Sequence, residues 1–365
     1  MIVIAGKNNI AVYALNYLAS CQGINNLAVV CNKTDKGVDT WQMSLRKRAL
    51  ALGILELSLS DAEELADVFI SLEFDQIIKT NNFKTSKIFN IHFSLLPKYR
   101  GMYTSVWPIL NNENRTGVTL HKVDDGIDTG AIVNQQEIDI SDDDSSLDLY
   151  IKYTSCAIDV FNKYIYKMIY NKYECIAQDE QYSSYYSKDS IDFNKCEVNF
   201  QQSANSILRF IRAFSFRPYQ MPMLRKCKIA NAEILNTKSR QLSGEIIYRN
   251  DSLVDISTVD FDIRLYFDKF DDIVELCNQG KSFNAERILK NIVNIDDRTD
   301  TLQTLLMISV KRGMVDLSKY LILNGANVNA TDYKGRSVLQ YANTIELKEN
   351  KYKIISLLID NGVEV

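Results

Sequence analysis

The stretch FNIHFSLLPKYRG, residues 89–101, carries one of the two histidines in a chain of 365 residues. Alternate side chains of an extended segment share one side, so Asn90 and His92 are predicted to point in the same direction. The run KIFNIHFS predicts a β-strand. The segment that follows, SLLPKYRGMYTSVWP, contains two of the four prolines of the chain. Whether Asn90 and His92 form a site or pack in the core depends on the rest of the chain.

The segments before this stretch alternate between apolar runs and amphipathic runs. We predict strands in MIVIA, NLAVVCN, ILELS and FDQIIKT, and helices in NNIAVYALNYLASC, DTWQMSLRKRALALG and DAEELADVFISLE. Asn8 or Asn9 is predicted to cap the first helix and Gly53 to close the second. Farther on, GVTLHKV and AIVNQQEIDI predict strands on either side of the loop DDGIDTG, and residues 145–173 predict a long helix. This alternation predicts a mostly parallel, helix-covered sheet.

Composition argues against several classes of protein. The net charge of −4 does not indicate a large nucleic-acid-binding face. No apolar run approaches the roughly 18–20 residues of a membrane span, and MIVIAGKNN lacks the basic start of a signal peptide. The seven scattered cysteines, without a Cys-x-x-Cys pair, predict reduced thiols and a cytoplasmic protein. With two histidines, a His-rich metal site is not expected.

The chain changes character after about residue 180. KCKIANAEIL, SGEIIYRN and SLVDISTVDFDIRLYF predict a small, mainly β region over residues 223–267. Over the last hundred residues Thr304 and Ser337 stand about 33 positions apart, as do Leu306 and Leu339, and LILNGANVNATDYKG resembles ankyrin repeats. IVELCNQGKSFNAERILKNIVNI resembles a degenerate earlier unit. Because about three repeats are normally needed for stability, we expect this array to dock on the β region.

NIHFSLLPKYRG and GVTLHKVDDGIDTGAIV together resemble the formyltransferase superfamily that uses N10-formyltetrahydrofolate. Its members share a Rossmann-like fold, an Asn-x-His element before Ser-Leu-Leu-Pro and an aspartate in a later Asp-x-Gly loop. The resemblance implies a catalytic triad of Asn90, His92 and Asp128. It also implies an α/β Rossmann-like formyltransferase core, which we place over residues 1–222. The β-rich region over 223–267 and ankyrin repeats over 268–365 follow.

The chemistry of formyl transfer also requires residues of these types, independently of the family resemblance. Transfer to an amine passes through a tetrahedral, oxyanion-bearing intermediate, to which the Asn90 amide can donate a hydrogen bond. His92 can take the proton of the amine, and Asp128 can orient and balance the imidazolium. Hydrogen-bond and charge stabilisation from Asn90 and Asp128 would contribute on the order of 2–4 kcal/mol each to the barrier. His121, on the strand GVTLHKV, is assigned a structural role.

The resemblance also implies where the two substrates bind. Folate is expected near KTNN and the DDGIDTG loop, with contacts from Thr80, Asn81, Asn82 and Asp124, although Asp124 and Asp125 also suit a turn. The loop after the first strand is not Gly-x-Gly-x-x-Gly, but it can offer N–H groups to a phosphate. Phe216 and Tyr219 can sandwich a thymine ring, with Arg217 on phosphate, or can instead pack in the core between domains. The predicted sugar-nucleotide contacts are Lys7, Asn8, Asn9, Lys79, Tyr103, Phe216, Arg217 and Tyr219.

Three superfamily branches differ in the amine that they formylate. The chain is much longer than a glycinamide ribonucleotide enzyme needs, and a methionyl-tRNA enzyme would need a basic tail. IHFSLLPKYRGMYTSVWPI and IRAFSFRPYQMP look most like the branch that formylates amino sugars of nucleoside diphosphates. The resemblance implies a dTDP-linked 3-amino-3,6-dideoxyhexose for O-antigen synthesis, gluco or galacto, with a 4-amino sugar still open. The alternatives are a methionyl-tRNA-type formyltransferase, or an ankyrin interaction protein on an inactive formyltransferase scaffold.

The resemblance further implies a homodimer formed through the β region, with no metal, no nucleic acid and no membrane partner. The ankyrin region is expected to bind a protein or a second ligand, and Tyr333, Arg336 and Tyr341 are its candidate contacts.

Overall fold

The computed structural model describes residues 1–217, 219–281, 290–299, 301–332 and 334–364. The chain divides into two compact units, Met1–Asp192 and Phe193–Val365. None of the helices in these described ranges combines the length and apolarity that crossing a bilayer requires.

The first unit is built on a seven-stranded sheet in the order β3-β2-β1-β4-β5-β7-β8. Strands β1 to β5 pair in parallel, and β7 and β8 pair antiparallel at one side. The strands are β1 Ile2–Gly6, β2 Leu27–Cys31, β3 Leu55–Glu56, β4 Val68–Leu72, β5 Ile88–His92, β6 Arg100–Gly101, β7 Arg115–Lys122, β8 Ile132–Asp139 and β9 Tyr185–Tyr186. The helices are α1 Asn8–Gln22, α2 Leu45–Leu52, α3 Leu59–Leu65, α4 Trp107–Leu110 and α5 Ser146–Ile169. The predicted helix-covered α/β core is confirmed.

The fourth strand lies earlier in the sequence than predicted. Val68–Leu72 falls at the end of the predicted helix DAEELADVFISLE but is a fully buried strand between β1 and β5. Apolar β-branched and aromatic residues fill it, as is typical of a strand covered on both faces. The predicted strand FDQIIKT is wrong: the chain leaves the sheet at Glu73, whose φ is 56°. Lys79 therefore precedes a short 3₁₀ turn, Thr80–Asn82, and does not end a strand.

Helix boundaries follow local chemistry. The Ser145 side chain accepts from the N–H of Asp148, and the Asp148 side chain accepts from the N–H of Ser145, which starts α5 with a capping box. Gly53 closes α2 in the left-handed conformation, as predicted. Along α5, Tyr153 and Phe161 are fully buried. Burying a side chain of this size contributes about 1.5–3 kcal/mol, so these residues anchor α5 in the core of the first unit.

The second unit begins with an amphipathic helix on a five-stranded antiparallel sheet of order β10-β11-β14-β13-β12. Its elements are α6 Ala204–Phe214, β10 Met223–Leu224, β11 Cys227–Lys238, β12 Ile246–Arg249, β13 Leu253–Ile256 and β14 Phe261–Phe267. Ile207 and Ile211 of α6 share a core cluster with Ile229 and Ile263 of the sheet. This packing places α6 with the sheet in the second unit.

Helical repeats follow the sheet, as the ankyrin resemblance predicts. They are α7 Phe270–Asn278, α8 Leu305–Lys311, α9 Val315–Leu323, α10 Val338–Asn343 and α11 Lys348–Asp360. Thr304 and Ser337, the equivalent positions noted above, both cap the helix that follows them. The predicted degenerate first unit includes α7, but residues 282–289 lie outside the described residues.

The helical repeats dock on the preceding sheet through polar contacts within the second unit. Asn291 Nδ2 donates to the carbonyl oxygens of Ser252, at 2.8 Å, and Phe267, at 2.7 Å. Asn291 is itself buried, and its carbonyl oxygen accepts from the N–H of Lys269. The described contacts thus agree with the expected docking.

Candidate active site

Two neighbouring strands and one loop bring the predicted triad together. Asn90 and His92 lie at the carboxyl end of β5, with their side chains on one side of the strand as expected. The antiparallel neighbour β7 places His121 directly opposite Asn90. Beyond β7, the DDGIDTG loop returns Asp128 to the same place.

The three side chains are in polar contact. Nδ1 of His92 lies 3.5 Å from Oδ2 of Asp128, and Nε2 of His92 lies 2.8 Å from the carbonyl oxygen of Tyr99. Nδ2 of Asn90 donates to Oδ1 of Asp128 at 3.2 Å. The His92 and Asp128 side chains are 9% and 12% exposed, so these contacts form where little water competes with them.

Asp128 is held by its backbone and by several donors. Its φ of 54° is in the left-handed region, where few non-glycine residues are found. Oδ2 accepts from the N–H of Gly101 at 2.9 Å, and the Asp128 carbonyl accepts from Gln178 Nε2 at 2.8 Å. Burial alone would raise the pKa of the Asp128 carboxyl. His92, His121 and the Gly101 N–H outweigh burial and hold that pKa well below its usual range, so Asp128 is a carboxylate.

One wall of this site was not predicted from the sequence. Strand β9, Tyr185–Tyr186, lies in a tyrosine-rich segment and pairs with β6. A Cβ on Gly101 would lie 2.2 Å from the carbonyl oxygen of Tyr186, so the pairing needs a glycine here. The Tyr186 ring also stacks on Trp107, with 4.0 Å between ring centroids. The signal available in the sequence was Gly101, because a glycine within a strand permits another backbone to approach closely.

The two loops predicted to contact folate are joined to each other. The Thr80 hydroxyl donates to Oδ1 of Asp125 at 2.7 Å. Asp124 accepts from the N–H of Gly126 and from the Thr129 hydroxyl, which gives it the turn-forming role described above. Asn82 donates to Oε1 of Glu63 at 3.1 Å. Together with Asn81 in the same 3₁₀ turn, these residues stay predicted folate contacts.

The loop after β1 is engaged by the protein itself. Asn8 Nδ2 donates to Oε2 of Glu73 at 2.9 Å, and the Asn9 side chain accepts from the N–H of Met43 at 2.9 Å. The N–H groups of Lys7 and Asn9 donate to Leu72 O and to Gln42 Oε1. These partners compete with the predicted phosphate contact.

Glu73 is a polar residue of this sheet edge that sequence reasoning missed. Burial raises the pKa of its carboxyl, against the opposing hydrogen bonds from Tyr150 and Asn8. Glu73 is half-buried directly after β4, and its carboxylate accepts from the Tyr150 hydroxyl at 2.7 Å and from Asn8 Nδ2 at 2.9 Å. The signal available in the sequence was an acidic residue directly after a buried apolar strand.

The remaining nucleotide candidates have internal partners. Phe216 is buried and Tyr219 is 61% exposed, with ring centroids 5.0 Å apart and planes 39° apart. The Tyr103 hydroxyl donates to the Lys188 carbonyl at 3.0 Å. The contacts of Phe216, Tyr219 and Tyr103 with nucleotide stay predictions.

Arg217 is held within an ion cluster. Its guanidinium pairs with Asp268 and with Asp297, the latter at 2.9 Å, and lies 4.7 Å from the centroid of the Phe270 ring. Burial raises the pKa of Asp297 to about 6 in spite of the opposing effect of Arg217. This arrangement is typical of an internal ion pair and competes with the predicted role of Arg217 on phosphate.

The ankyrin candidates are similarly organised. Arg336 and Tyr341 both bond to Asp332, at 2.8 and 2.7 Å, and Tyr333 lies outside the described residues. Throughout the described ranges, no group of three or more His, Cys, Asp and Glu side chains is arranged to hold a metal ion.

The Rossmann-like sheet brings an amide, an imidazole and a carboxylate together, and these groups are chemically suited to acyl transfer to an amine. Family models agree and divide the chain: Formyl transferase matches residues 55–163, its C-terminal domain residues 190–269, and Ankyrin repeats residues 274–365. The methionyl-tRNA formyltransferase of Malacoplasma penetrans (strain HF-2) is 30% identical over 309 residues, which cover 80% of this chain and 92% of that protein. The chain belongs to the formyltransferase family.

Two solved structures are more similar still. WlaRD, a sugar 3N-formyl transferase crystallised in the presence of dTDP and 5-N-formyl-THF, is 40% identical with a TM-score of 0.67, over 73% of this chain and 97% of that one. The N-formyltransferase from Helicobacter canadensis, in complex with folinic acid and dTDP-3-aminofucose, is 41% identical with a TM-score of 0.67, over 73% and 98%.

Proposed function

We propose that this chain transfers the formyl group of N10-formyltetrahydrofolate to the amino group of a dTDP-linked amino-dideoxyhexose. The candidate sugars are 3-amino-3,6-dideoxyglucose and its galacto epimer. One observation carries the proposal: the contacts among Asn90, His92 and Asp128 occur in a chain 40–41% identical to two sugar-nucleotide formyltransferases over nearly their whole length.

His92 is the proposed proton acceptor. Its Nε2 lies against the Tyr99 carbonyl, which can only accept, so in the neutral ring Nε2 carries the hydrogen and Nδ1 the lone pair. The 3.5 Å between Nδ1 and Asp128 exceeds a normal hydrogen bond of about 2.7–3.2 Å, so Nδ1 is the atom that can accept the proton. The imidazolium then forms beside an ionised carboxylate, which stabilises it.

The reaction forms a bond between the sugar nitrogen and the formyl carbon, and breaks the bond from that carbon to N10 of the folate. The proton lost by the amine passes to His92 and from there to N10, so that tetrahydrofolate leaves as the neutral amine and the imidazole is restored. Asn90 is the proposed donor to the formyl oxygen, where negative charge develops. Both hydrogens of its amide have internal acceptors, at 3.1 and 3.2 Å, so donation to the formyl oxygen exchanges one of these two bonds for the substrate.

We also propose the wider setting of this activity. Residues 1–222 would supply catalysis, 223–267 the β-rich region and 268–365 the ankyrin repeats. The proposal includes the predicted contacts with folate and nucleotide, a homodimer, a cytoplasmic location and a role in O-antigen synthesis. The ankyrin region would serve recognition of a protein or a second ligand, as such repeats commonly do.

The test is a substrate panel. Purified protein is incubated with N10-formyltetrahydrofolate and, separately, dTDP-3-amino-3,6-dideoxyglucose, its galacto epimer and a dTDP-4-amino sugar, and products are followed by mass spectrometry. We expect one formyl group to be added to a 3-amino sugar, and none when His92→Asn replaces the wild type. Absence of formylation across all three sugars would contradict the proposal.

A second candidate, formylation of methionyl-tRNA, is favoured by the Malacoplasma penetrans relative. Charged initiator tRNA therefore belongs in the same panel. Formylation of methionyl-tRNA in place of the sugars would establish this alternative.

A further inference from the structure

We infer that His121 is a positioning residue for the proposed formyl transfer: its Nε2 lone pair holds the Asn90 amide in one orientation. The inference rests on the proposed function. It departs from the structural role that the sequence suggested for His121, a residue only 2% exposed.

The tautomer of His121 follows from its neighbours. Nδ1 lies 2.7 Å from the carbonyl oxygen of Lys122, and a carbonyl oxygen can only accept. Nδ1 therefore carries the hydrogen, and in the neutral ring Nε2 carries the lone pair. Nε2 lies 3.1 Å from Nδ2 of Asn90 and so accepts one of its two hydrogens.

The second hydrogen of the Asn90 amide has its own acceptor. Nδ2 of Asn90 lies 3.2 Å from Oδ1 of Asp128, which is itself 3.5 Å from His121 Nε2. Two acceptors thus face one NH₂ group. A reversed amide would place its oxygen against both an ionised carboxylate and a lone pair, so His121 and Asp128 together fix the amide orientation.

The register of the sheet fixes the position of His121 relative to Asn90. Asn90 and His121 are direct partners on β5 and β7, so the distance between them is set by the ladder and not by flexible loops. His121 touches no reacting atom in this scheme. Its effect on the reaction passes through the amide that is proposed to donate to the formyl oxygen.

Two substitutions distinguish the need for an acceptor at the position of Nε2 from the need for any polar side chain at residue 121. His121→Gln can carry an oxygen to the place of Nε2, whereas His121→Asn reaches only the place of Nδ1. With the dTDP-amino sugar as substrate, we expect the Gln variant to keep kcat within about fivefold of wild type, and the Asn variant to lower it about 10–10²-fold. KM for the sugar nucleotide and thermal stability should stay similar in the two variants.

Wild-type-like kcat in the Asn variant, or equal losses in both variants that parallel losses of stability, would overturn the inference. An inactive wild type would instead contradict the proposed function. An independent measurement needs no activity: ¹⁵N NMR of the wild-type imidazoles is uncrowded, because the chain has two histidines. The neutral Nδ1–H tautomer is expected for His121, and an Nε2–H tautomer would overturn the inference.

Discussion

At the scale of single residues, the Asp128 carboxylate contacts more of the polar groups of the site than its other members do. It receives the Gly101 N–H and the Asn90 amide, and it faces both imidazoles at 3.5 Å. These contacts come from three strands, β5, β6 and β7, so the carboxylate couples three separate segments of the chain. Loss of any member of this cluster should affect the others.

Replacing a member of the triad should impair the chemical step. Asn90→Ala, His92→Asn and Asp128→Ala should each lower kcat by at least about 10²-fold, because each removes a donor, base or counter-charge from the transition state. Circular dichroism and thermal unfolding check that the variants are folded. A variant that keeps near wild-type turnover would show that its residue has a different role.

The depressed pKa of Asp128 has a consequence for stability. A carboxyl with a lowered folded-state pKa stabilises the fold fully above its unfolded pKa of about 3.9, and this stabilisation is lost as the pH falls through the lower folded value. Wild type should therefore unfold at higher urea than Asp128→Asn at pH 5, and the difference should shrink as the pH is lowered below about 4. A difference that grows on acidification would contradict the assigned direction of the pKa shift.

At the scale of elements, the short β6–β9 pair determines whether Asp128 has its backbone donor. Gly101 has a φ of 87° and packs against the Tyr186 carbonyl. A side chain here would separate the two strands and withdraw the N–H that Asp128 Oδ2 accepts. The cluster around Asp128 therefore depends on a backbone position that has no side chain of its own.

Gly101→Ala should lower both kcat and the melting temperature. The matched control is Gly53→Ala: Gly53 also has a left-handed φ, of 69°, but nothing lies within 4 Å of an added Cβ. The control should cost only about 1 kcal/mol of stability and leave kcat unchanged. Steady-state assays and calorimetry compare the two, and equal kcat values would show that β6–β9 pairing is not needed for the site.

The strand-helix order and the triad could be predicted because they depend on local patterns. Asn90 and His92 share a face through period-two alternation, and Asp128 stands in a motif. Three features could not be predicted: the wall formed by β9, the role of Glu73, and the contact of His121 with Asn90. Each depends on a non-local strand register or on a left-handed backbone turn. FDQIIKT was mistaken for a strand because VFISL, a doubly covered strand, has no alternation and continued an apparent helix.

At the scale of the whole molecule, the ankyrin repeats are tied to the sheet of the second unit. Arg217, Asp268 and Asp297 form a nearly buried ion cluster, with side-chain exposures of 12%, 6% and 2%. Removing one partner of such a cluster leaves charge buried without compensation, which typically costs about 3–5 kcal/mol. The tail should therefore stabilise the sheet even if it takes no part in chemistry.

A chain ending at Phe267 should have a lower melting temperature in its second unit. Arg217→Met should destabilise the full chain, but cost close to nothing in the shortened chain, where both carboxylates are already gone. Differential scanning calorimetry on the four proteins measures this coupling. Equal effects of Arg217→Met in the two backgrounds would mean that the ion cluster does not tie the tail to the sheet.

The most direct test of the central claim is competition between the two candidate formyl acceptors. kcat/KM is measured for dTDP-3-amino-3,6-dideoxyglucose and for methionyl-tRNA with one preparation of enzyme and N10-formyltetrahydrofolate, alongside His92→Asn. The sugar nucleotide should be preferred by at least about 10²-fold, and the variant should lose that activity. Preference for methionyl-tRNA, or sugar formylation that survives His92→Asn, would contradict the account.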